Sequence, residues 1–123
     1  METSSQTQRI ESLVKKALDQ QGMLAALYFK VYKQRRATEL ERRALIIAKE
    51  RYMKSDNWKR LRQQVLGRSG YTCTARMAGC TLTATEVHHI SYINLGDEPL
   101  WDLRAVCSSC HAAVHRVKQA RFE

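Results

Sequence analysis

Apolar positions in the first part of the chain recur at helical spacing. Between Ile10 and Val31 they fall mostly every three or four residues, which predicts an amphipathic helix with one apolar face. Gly22 lies inside this stretch and predicts a break, because glycine is unfavourable in a helix interior. The apolar stripe comprises Ile10, Val14, Ala17, Leu24, Tyr28 and Val31, widened by Leu13, Leu18 and Leu27.

Two further helices are predicted before the pattern changes. Thr38 and Glu41 have the spacing of a capping box, which predicts that a helix starts at Thr38. Ser55 or Asp56 is a suitable N-cap for the next helix, and Gly67 is placed to end it. The predicted buried faces are Leu40, Ala44, Ile47 and Ala48 in the first of these helices, and Trp58, Leu61 and Val65 in the second.

The second half of the chain has a different pattern. Residues 87–92 are rich in β-branched and aromatic side chains, which predicts a strand, and residues 103–106 predict a short returning strand. Residues 94–99, with a glycine and the single proline, predict the turn between them. A last helix is predicted over about 110–121, capped by one of the two serines that precede it. The fold class is therefore predicted as α+β, with a helical region followed by a strand, loop, strand and helix.

Length and composition limit the class of protein. The chain has 123 residues, 44% of them hydrophobic and 27% charged, which is typical of one globular domain or a small domain with an extension. It contains no apolar run of membrane-spanning length and does not begin with a secretory signal pattern. We therefore expect a cytoplasmic location without a membrane partner, where paired cysteines more often hold a metal than form a disulfide.

The positive charge of the chain is concentrated in its first half. Of the net charge of +9, residues 1–66 carry +8, from 15 Lys and Arg against 7 Asp and Glu. Such a basic region is typical of polyanion binding, but a solvated helix surface rich in Lys and Arg gives the same count. The charge by itself leaves both interpretations open.

The four cysteines have the arrangement of a structural metal site. Cys107 and Cys110 are separated by two residues, the spacing of a zinc knuckle. Cys73 and Cys80 are separated by six residues, and Gly79 lets the backbone turn into Cys80. We predict that these four residues bind a structural Zn²⁺ ion; the alternative is that they are buried free thiols.

All four histidines lie in the same part of the chain. His111 and His115 are one helical turn apart, so their imidazoles share a face and can reach a single ion. His88 and His89 are adjacent in the predicted strand and point to opposite sides of a regular sheet. Any one of them, taken alone, fits a hydrogen-bonded core histidine, whereas four beside a metal knuckle favour a chemical site.

These residues together resemble the ββα-metal motif of HNH endonucleases, in the subgroup with a four-cysteine zinc site. The resemblance covers about residues 55–116, so it implies a zinc-stabilised HNH module over 55–123 and a basic helical extension over 1–54. The segments that carry it are His88-His89-Ile90, Asp102-Leu103 and Cys107-Ser-Ser-Cys110-His111-Ala-Ala-Val-His115, with the upstream Trp58-Lys-Arg-Leu61 and Arg68-Ser-Gly-Tyr71-Thr-Cys73.

The resemblance also implies roles for single residues. His89 is expected to be the general base, and His88, His111 and His115 are expected to hold a catalytic divalent ion (Mg²⁺, Mn²⁺, Ni²⁺ or Zn²⁺). His111 is also the final histidine of the catalytic motif. Asp102 stands where the family has its middle Asn and is expected to brace the loop that orients the base. An ionised carboxylate accepts hydrogen bonds but donates none, so only part of the Asn role is available to it.

The expected activity is metal-dependent hydrolysis of DNA, leaving a 3′-hydroxyl and a 5′-phosphate. The expected partner is double-stranded DNA, and the N-terminal helices are expected to bind the duplex backbone or a second copy of the chain. A nucleoid-associated protein and a phage-encoded protein in the host cytoplasm both fit this location. Two alternatives remain: a non-catalytic zinc module that binds nucleic acid, and an accessory subunit of a phage packaging or restriction complex.

Overall fold

Helices occupy the first part of the chain, and a small sheet with a final helix occupies the last. The structure, a computed structural model, describes residues 4–122, and the side chains of residues 4–117 among them. Over this range the chain forms five α-helices and one antiparallel pair of strands, so the predicted α+β class is confirmed. No helix within it combines the length and apolarity needed to cross a bilayer. The elements are α1 (Ser4–Asp19), α2 (Met23–Phe29), α3 (Glu39–Met53), α4 (Asp56–Arg68), β1 (Glu86–His89), β2 (Leu103–Val106) and α5 (Ser108–Phe122).

The chain divides into two compact units. The helical unit comprises the chain up to Lys59 and the segment Tyr92–Glu98, and the ββα unit comprises Arg60–Ser91 and the chain from Pro99 onward. The segment Tyr92–Glu98 therefore belongs to the helical unit although it lies between β1 and β2 in sequence. The division expected from the resemblance, at residues 1–54 and 55–123, stays a prediction.

The helical unit is built on the packing of α1 against α3. Gly22, at a φ of +79°, separates α1 from α2, as its position inside the apolar stripe predicts. The capping box at the start of α3 is also confirmed, with the Glu41 N–H donating to Thr38 Oγ1 at 3.1 Å and the Thr38 N–H donating to Glu41 Oε1 at 2.9 Å. The buried side chains of the two helices are Ile10, Val14 and Ala17 from α1, and Ala44, Leu45, Ala48 and Tyr52 from α3.

The ββα unit is organised by the register of its two strands. His88 lies opposite Arg104, and His89 lies opposite Leu103. Strand β1 spans Glu86–His89 rather than the predicted range 87–92, and residues 92–98 belong to the helical unit. The predicted serine cap of α5 is wrong. Cys107 takes that place, since its Sγ atom accepts the Cys110 N–H at 3.3 Å.

Candidate functional site

A short hairpin carries the two upstream cysteines. An antiparallel bridge between Thr72 and Thr83 closes its base. Gly79, at a φ of +83°, adopts the left-handed conformation just before Cys80, which a residue with a side chain adopts only with strain. The six residues between Cys73 and Cys80 therefore fold back on themselves and return the second thiol to the first.

The hairpin and the start of α5 together form a cysteine cage, which we define as Cys73, Cys80, Cys107 and Cys110. All four are free thiols, and their Sγ atoms lie within 4.8 Å of one another. Three of them are at most 1% exposed, and Cys80 is half-buried. Zinc with four thiolate ligands has Zn–S bonds of about 2.3 Å, which sets the sulfurs about 3.8 Å apart. The cage could therefore bind a single metal ion such as zinc.

Backbone N–H groups point at the sulfurs of the cage. Met77 donates to Cys110 Sγ at 3.4 Å, Leu82 donates to Cys80 Sγ at 3.3 Å, and Cys110 donates to Cys107 Sγ at 3.3 Å. Such hydrogen bonds stabilise negative charge on sulfur, which a metal-ligating thiolate requires. The loop therefore supplies the surroundings of a thiolate site as well as its ligands.

The pKa values of two cage thiols are shifted in opposite directions. Hydrogen bonds from the backbone of Thr81 and of Cys110 lower the pKa of Cys107 to about 6. Burial, reinforced by the neighbouring thiols, raises the pKa of Cys110 to about 12. Thiolates this close repel one another, so all four ionise together only when a cation compensates their charge. This chemistry fits a metal site.

The second group is a histidine cluster, which we define as His88, His111 and His115. Ring nitrogens of the three residues lie within 4.8 Å of one another. The ring centroid of His88 is 5.3 Å from that of His111 and 5.3 Å from that of His115. His88 is buried, His111 is half-buried and His115 is exposed. Three convergent imidazoles, one of them open to solvent, could hold a divalent ion that keeps positions free for a ligand.

Glu86 supports the histidine cluster from β1. Its Oε1 atom lies 3.0 Å from His111 Nδ1, and it shares a face of the strand with His88 two residues later. With the Nδ1–H group of His111 donated to this carboxylate, Nε2 is the nitrogen left for a metal. The sequence prediction missed Glu86, although a carboxylate two residues before a histidine in a strand was a usable signal.

Arg104 lies on the same face of the sheet as the histidine cluster. It is directly opposite His88 in the antiparallel register, and its side chain is exposed. Directly opposite residues place their Cβ atoms about 5 Å apart on one side of the sheet. The Arg104 side chain therefore leaves the sheet beside His88, where a guanidinium group could contact an anionic ligand.

His89 and Asp102 do not belong to the histidine cluster. His89 follows His88 in β1 and so points to the opposite face of the sheet. Both side chains are buried, His89 at 3% exposure and Asp102 at 8%. The backbone joins the two positions, because the Ile90 N–H donates to the Asp102 carbonyl at 2.7 Å. The expected base and the expected bracing residue therefore lie at one anchored end of the sheet.

Comparisons with known proteins identify no relative of this chain. No protein-family model, no curated protein and no solved structure matches it. The chemistry available to the molecule therefore lies in its own two groups of potential ligands, four thiols and three imidazoles.

Proposed function

We propose that this chain is a metal-dependent endonuclease of the HNH class, which hydrolyses phosphodiester bonds in DNA. One observation carries the proposal: the hairpin, the sheet and α5 hold two separate groups of ligands, a buried cage of thiols and a partly exposed cluster of imidazoles. A structural staple needs only the first group. The second has the ligand number and the exposure of a centre that works on a substrate.

The histidine cluster is the proposed site of the divalent ion. His88, His111 and His115 each offer one ring nitrogen. A cation bound there supplies charge neutralisation on the phosphate and on the leaving oxygen. Arg104, exposed and opposite His88, is suited to contact a second phosphate oxygen.

His89 is the proposed general base. Its neutral imidazole accepts a proton from the attacking water as the water oxygen bonds to phosphorus and the bond from phosphorus to O3′ breaks. The phosphate stays on the 5′ side, and O3′ takes a proton from solvent to leave as a hydroxyl. Asp102 is the proposed bracing residue, and its main chain lies next to the base, since its backbone carbonyl accepts the Ile90 N–H.

Duplex DNA is the proposed substrate, and the basic helices are proposed to hold it. Residues 1–66 carry a net charge of +8, which favours a polyanion over a neutral or acidic partner. Lys and Arg contacts with phosphates release counterions, so the affinity for DNA should fall steeply as the salt concentration rises.

Cleavage of supercoiled plasmid tests the proposal. The protein should nick or linearise the plasmid with Mg²⁺, Mn²⁺ or Ni²⁺, and EDTA should stop the reaction. His89→Ala should lower the rate about 10²- to 10⁴-fold, the range for loss of a general base. Metal content, measured by elemental analysis, and DNA binding, measured by gel shift, should stay at the wild-type level.

His115→Ala separates the roles of the histidines. This variant should lose cutting together with the ion of the histidine cluster, whereas His89→Ala should lose cutting alone. If His89→Ala cuts plasmid at the wild-type rate, His89 is not the general base. A wild-type protein that cuts no plasmid with any of the three metals would remove the nuclease proposal.

The burial of His89 favours a second candidate function, a zinc-containing module that binds nucleic acid without cutting it. At 3% exposure the imidazole is nearly closed to solvent, whereas a general base must reach the attacking water. The same experiments decide between the two: binding of plasmid that persists without any cleavage supports the binding module.

A further inference from the structure

The seven residues Tyr92–Glu98, which we name the connecting segment, lie between the proposed base and the proposed bracing residue. They begin three residues after His89 and end four residues before Asp102. They nevertheless belong to the helical unit. The part of the chain that joins the two proposed catalytic positions is therefore held by helices outside the motif.

A buried carboxylate fixes one end of the connecting segment. Glu98 is 7% exposed, and its Oε1 atom accepts hydrogen bonds from the Tyr52 hydroxyl of α3 and from the Gly96 N–H at 3.2 Å. Burying a carboxylate is costly unless it is hydrogen-bonded. The hydroxyl of Tyr52 is therefore a specific anchor, because an apolar ring in its place removes a hydrogen bond that this buried carboxylate accepts.

Aromatic stacking fixes the other end. The Tyr92 ring is stacked on the Tyr28 ring of α2, with centroids 4.7 Å apart. The Lys49 ammonium group of α3 lies 4.8 Å from the Tyr92 centroid, within range of a cation–π interaction. Tyr92 is therefore held by both helices.

Leu95 and Gly96, in the middle of the connecting segment, are also closely packed. Leu95 is 1% exposed, and Gly96 adopts a φ of +98°. A Cβ atom at Gly96 would lie 3.4 Å from two side-chain carbons of Leu24, so the backbone there runs close against α2. The Gln21 amide also donates to Asp97 at 3.0 Å. The segment is thus held at Tyr92 and again from Leu95 to Glu98.

Backbone hydrogen bonds join residues on the two sides of the connecting segment, next to the proposed catalytic residues. The Ile90 N–H donates to the Asp102 carbonyl at 2.7 Å, and the Asp102 N–H donates to the Pro99 carbonyl at 3.0 Å. Two residues flank the segment. Ser91 follows Ile90, which donates to Asp102, and Pro99 accepts a hydrogen bond from Asp102. Only two residues of main chain separate the segment from His89, and three separate it from Asp102.

We propose that α2 and α3 set the orientation of His89 and Asp102 through the connecting segment, with Tyr52 as a positioning residue. The inference rests on the proposed nuclease function and assigns the helical region a second task beside DNA binding. Tyr52 touches neither substrate nor metal in this scheme. It acts by holding Glu98, and thereby the loop that ends at the base.

Tyr52→Phe tests the proposal in the full chain. The variant removes the hydroxyl and keeps the ring, so kcat for plasmid cleavage should fall about tenfold while KM changes less than about twofold, because a misplaced base slows chemistry without weakening DNA binding. In amide exchange measured by NMR, Ile90 and Leu95 should both exchange about tenfold faster. Tyr32→Phe, the same change at a tyrosine that is 54% exposed, should alter neither quantity.

Exchange at Ile90 separates this proposal from the nuclease proposal, since it needs no activity. A wild type that cuts nothing removes the proposed function, while faster exchange at Ile90 in Tyr52→Phe still supports control of this position by the helices. Faster exchange at Leu95 with Ile90 unchanged overturns the proposal, as does a fall in kcat that Tyr32→Phe reproduces. If Tyr52→Phe does not fold, Tyr92→Leu, which removes the stack on Tyr28, replaces it with the same expected results.

Discussion

The cysteine cage and the histidine cluster take ligands from the same helix but differ in their exposure. Three of the four cage thiols are at most 1% exposed, and the fourth is half-buried. The histidine cluster passes from a buried residue through a half-buried one to an exposed one, His115. One group is closed on nearly all sides and the other opens to solvent, although α5 supplies one residue to the cage and two to the cluster.

This difference follows a general division among metal sites. Structural zinc is enclosed by four protein ligands, whereas a catalytic ion has fewer and keeps a position for water or substrate. The cage has the first arrangement and the cluster has the second. We therefore propose separate tasks for the two groups, stability for the thiols and chemistry for the imidazoles.

The surroundings of the two groups differ as well. Backbone N–H groups of Met77, Leu82 and Cys110 support the cage sulfurs. A side chain, Glu86, supports the histidine cluster. Most substitutions leave the backbone N–H donors of the cage in place. The carboxylate of Glu86, in contrast, can be removed by a mutation that changes none of the metal-ligand residues. The two groups should therefore respond differently to mutation, to pH and to loss of metal.

Cys107→Ser should have the largest effect. The change breaks the cage at a buried ligand, so zinc content should fall by one ion per chain and the ββα unit should lose its cooperative thermal transition, because small metal domains depend on the ion for folding. His115→Ala should also lose one ion, but it should keep the transition. Elemental analysis and circular dichroism during heating measure both quantities.

A result in which both variants unfold would erase the distinction between the cage and the cluster. If Cys107→Ser keeps its full zinc content and its thermal transition, the cysteines do not bind the zinc ion. The alternative interpretation, that they are buried free thiols, would then hold.

Local patterns in the sequence predicted much of this arrangement. The capping box at Thr38, the break at Gly22 and the position of β2 depend on neighbouring residues, and the structure has all three. The convergence of His111 and His115 also follows from one helical turn of spacing. These features were predictable because spacing along the chain decides them.

Features that depend on distant pairing were not predictable in the same way. Glu86 meets His111 only because β1 and α5 face each other across 25 positions of sequence. Glu98 accepts a hydrogen bond from Tyr52, which is 46 positions away in sequence, and no local spacing pattern predicts that contact. The role of Cys107 as a helix cap also escaped prediction, because serine is the usual cap and two serines follow it.

Metal binding by the cage should depend on pH in a direction set by its thiols. In the metal-free protein the pKa of Cys110 is raised to about 12, so at pH 8 this thiol carries a proton that zinc must displace. The pKa of Cys107 is lowered to about 6, so it is already a thiolate at pH 8 and becomes protonated only as the pH falls through about 6. Zinc affinity should therefore fall about tenfold per pH unit from 8 to 6 through Cys110 alone, and more steeply below 6.

Competition with a chromophoric chelator measures this dependence, and His115→Ala is the variant to use, since it isolates the cage. Titration calorimetry in two buffers of different ionisation enthalpy counts the protons released. Zinc binding at pH 8 without release of any proton would contradict the assignment of Cys110 as a protonated ligand.

Glu86→Ala should have the smallest of these effects and should act on the histidine cluster alone. Removing the carboxylate takes away the acceptor 3.0 Å from His111 Nδ1, which fixes the ring so that Nε2 is free for the metal. The affinity of the cluster for Mn²⁺ or Ni²⁺ should fall about 10- to 100-fold, the usual range for such an outer partner. Zinc in the cage and the thermal transition should stay unchanged, because the cage thiols are supported by backbone N–H groups instead.

Glu50→Ala is the matched control for this last comparison. It removes an exposed glutamate of α3 whose carboxylate lies 3.0 Å from the Lys54 ammonium group, so the same charge is lost away from either group of ligands. Titration of each variant with Ni²⁺, followed by calorimetry, compares the two. Equal weakening by both variants would mean that net charge, and not the orientation of His111, sets the affinity. Loss of cage zinc in Glu86→Ala would mean that the two groups are one coupled site, because a side chain that touches only the cluster would then control both.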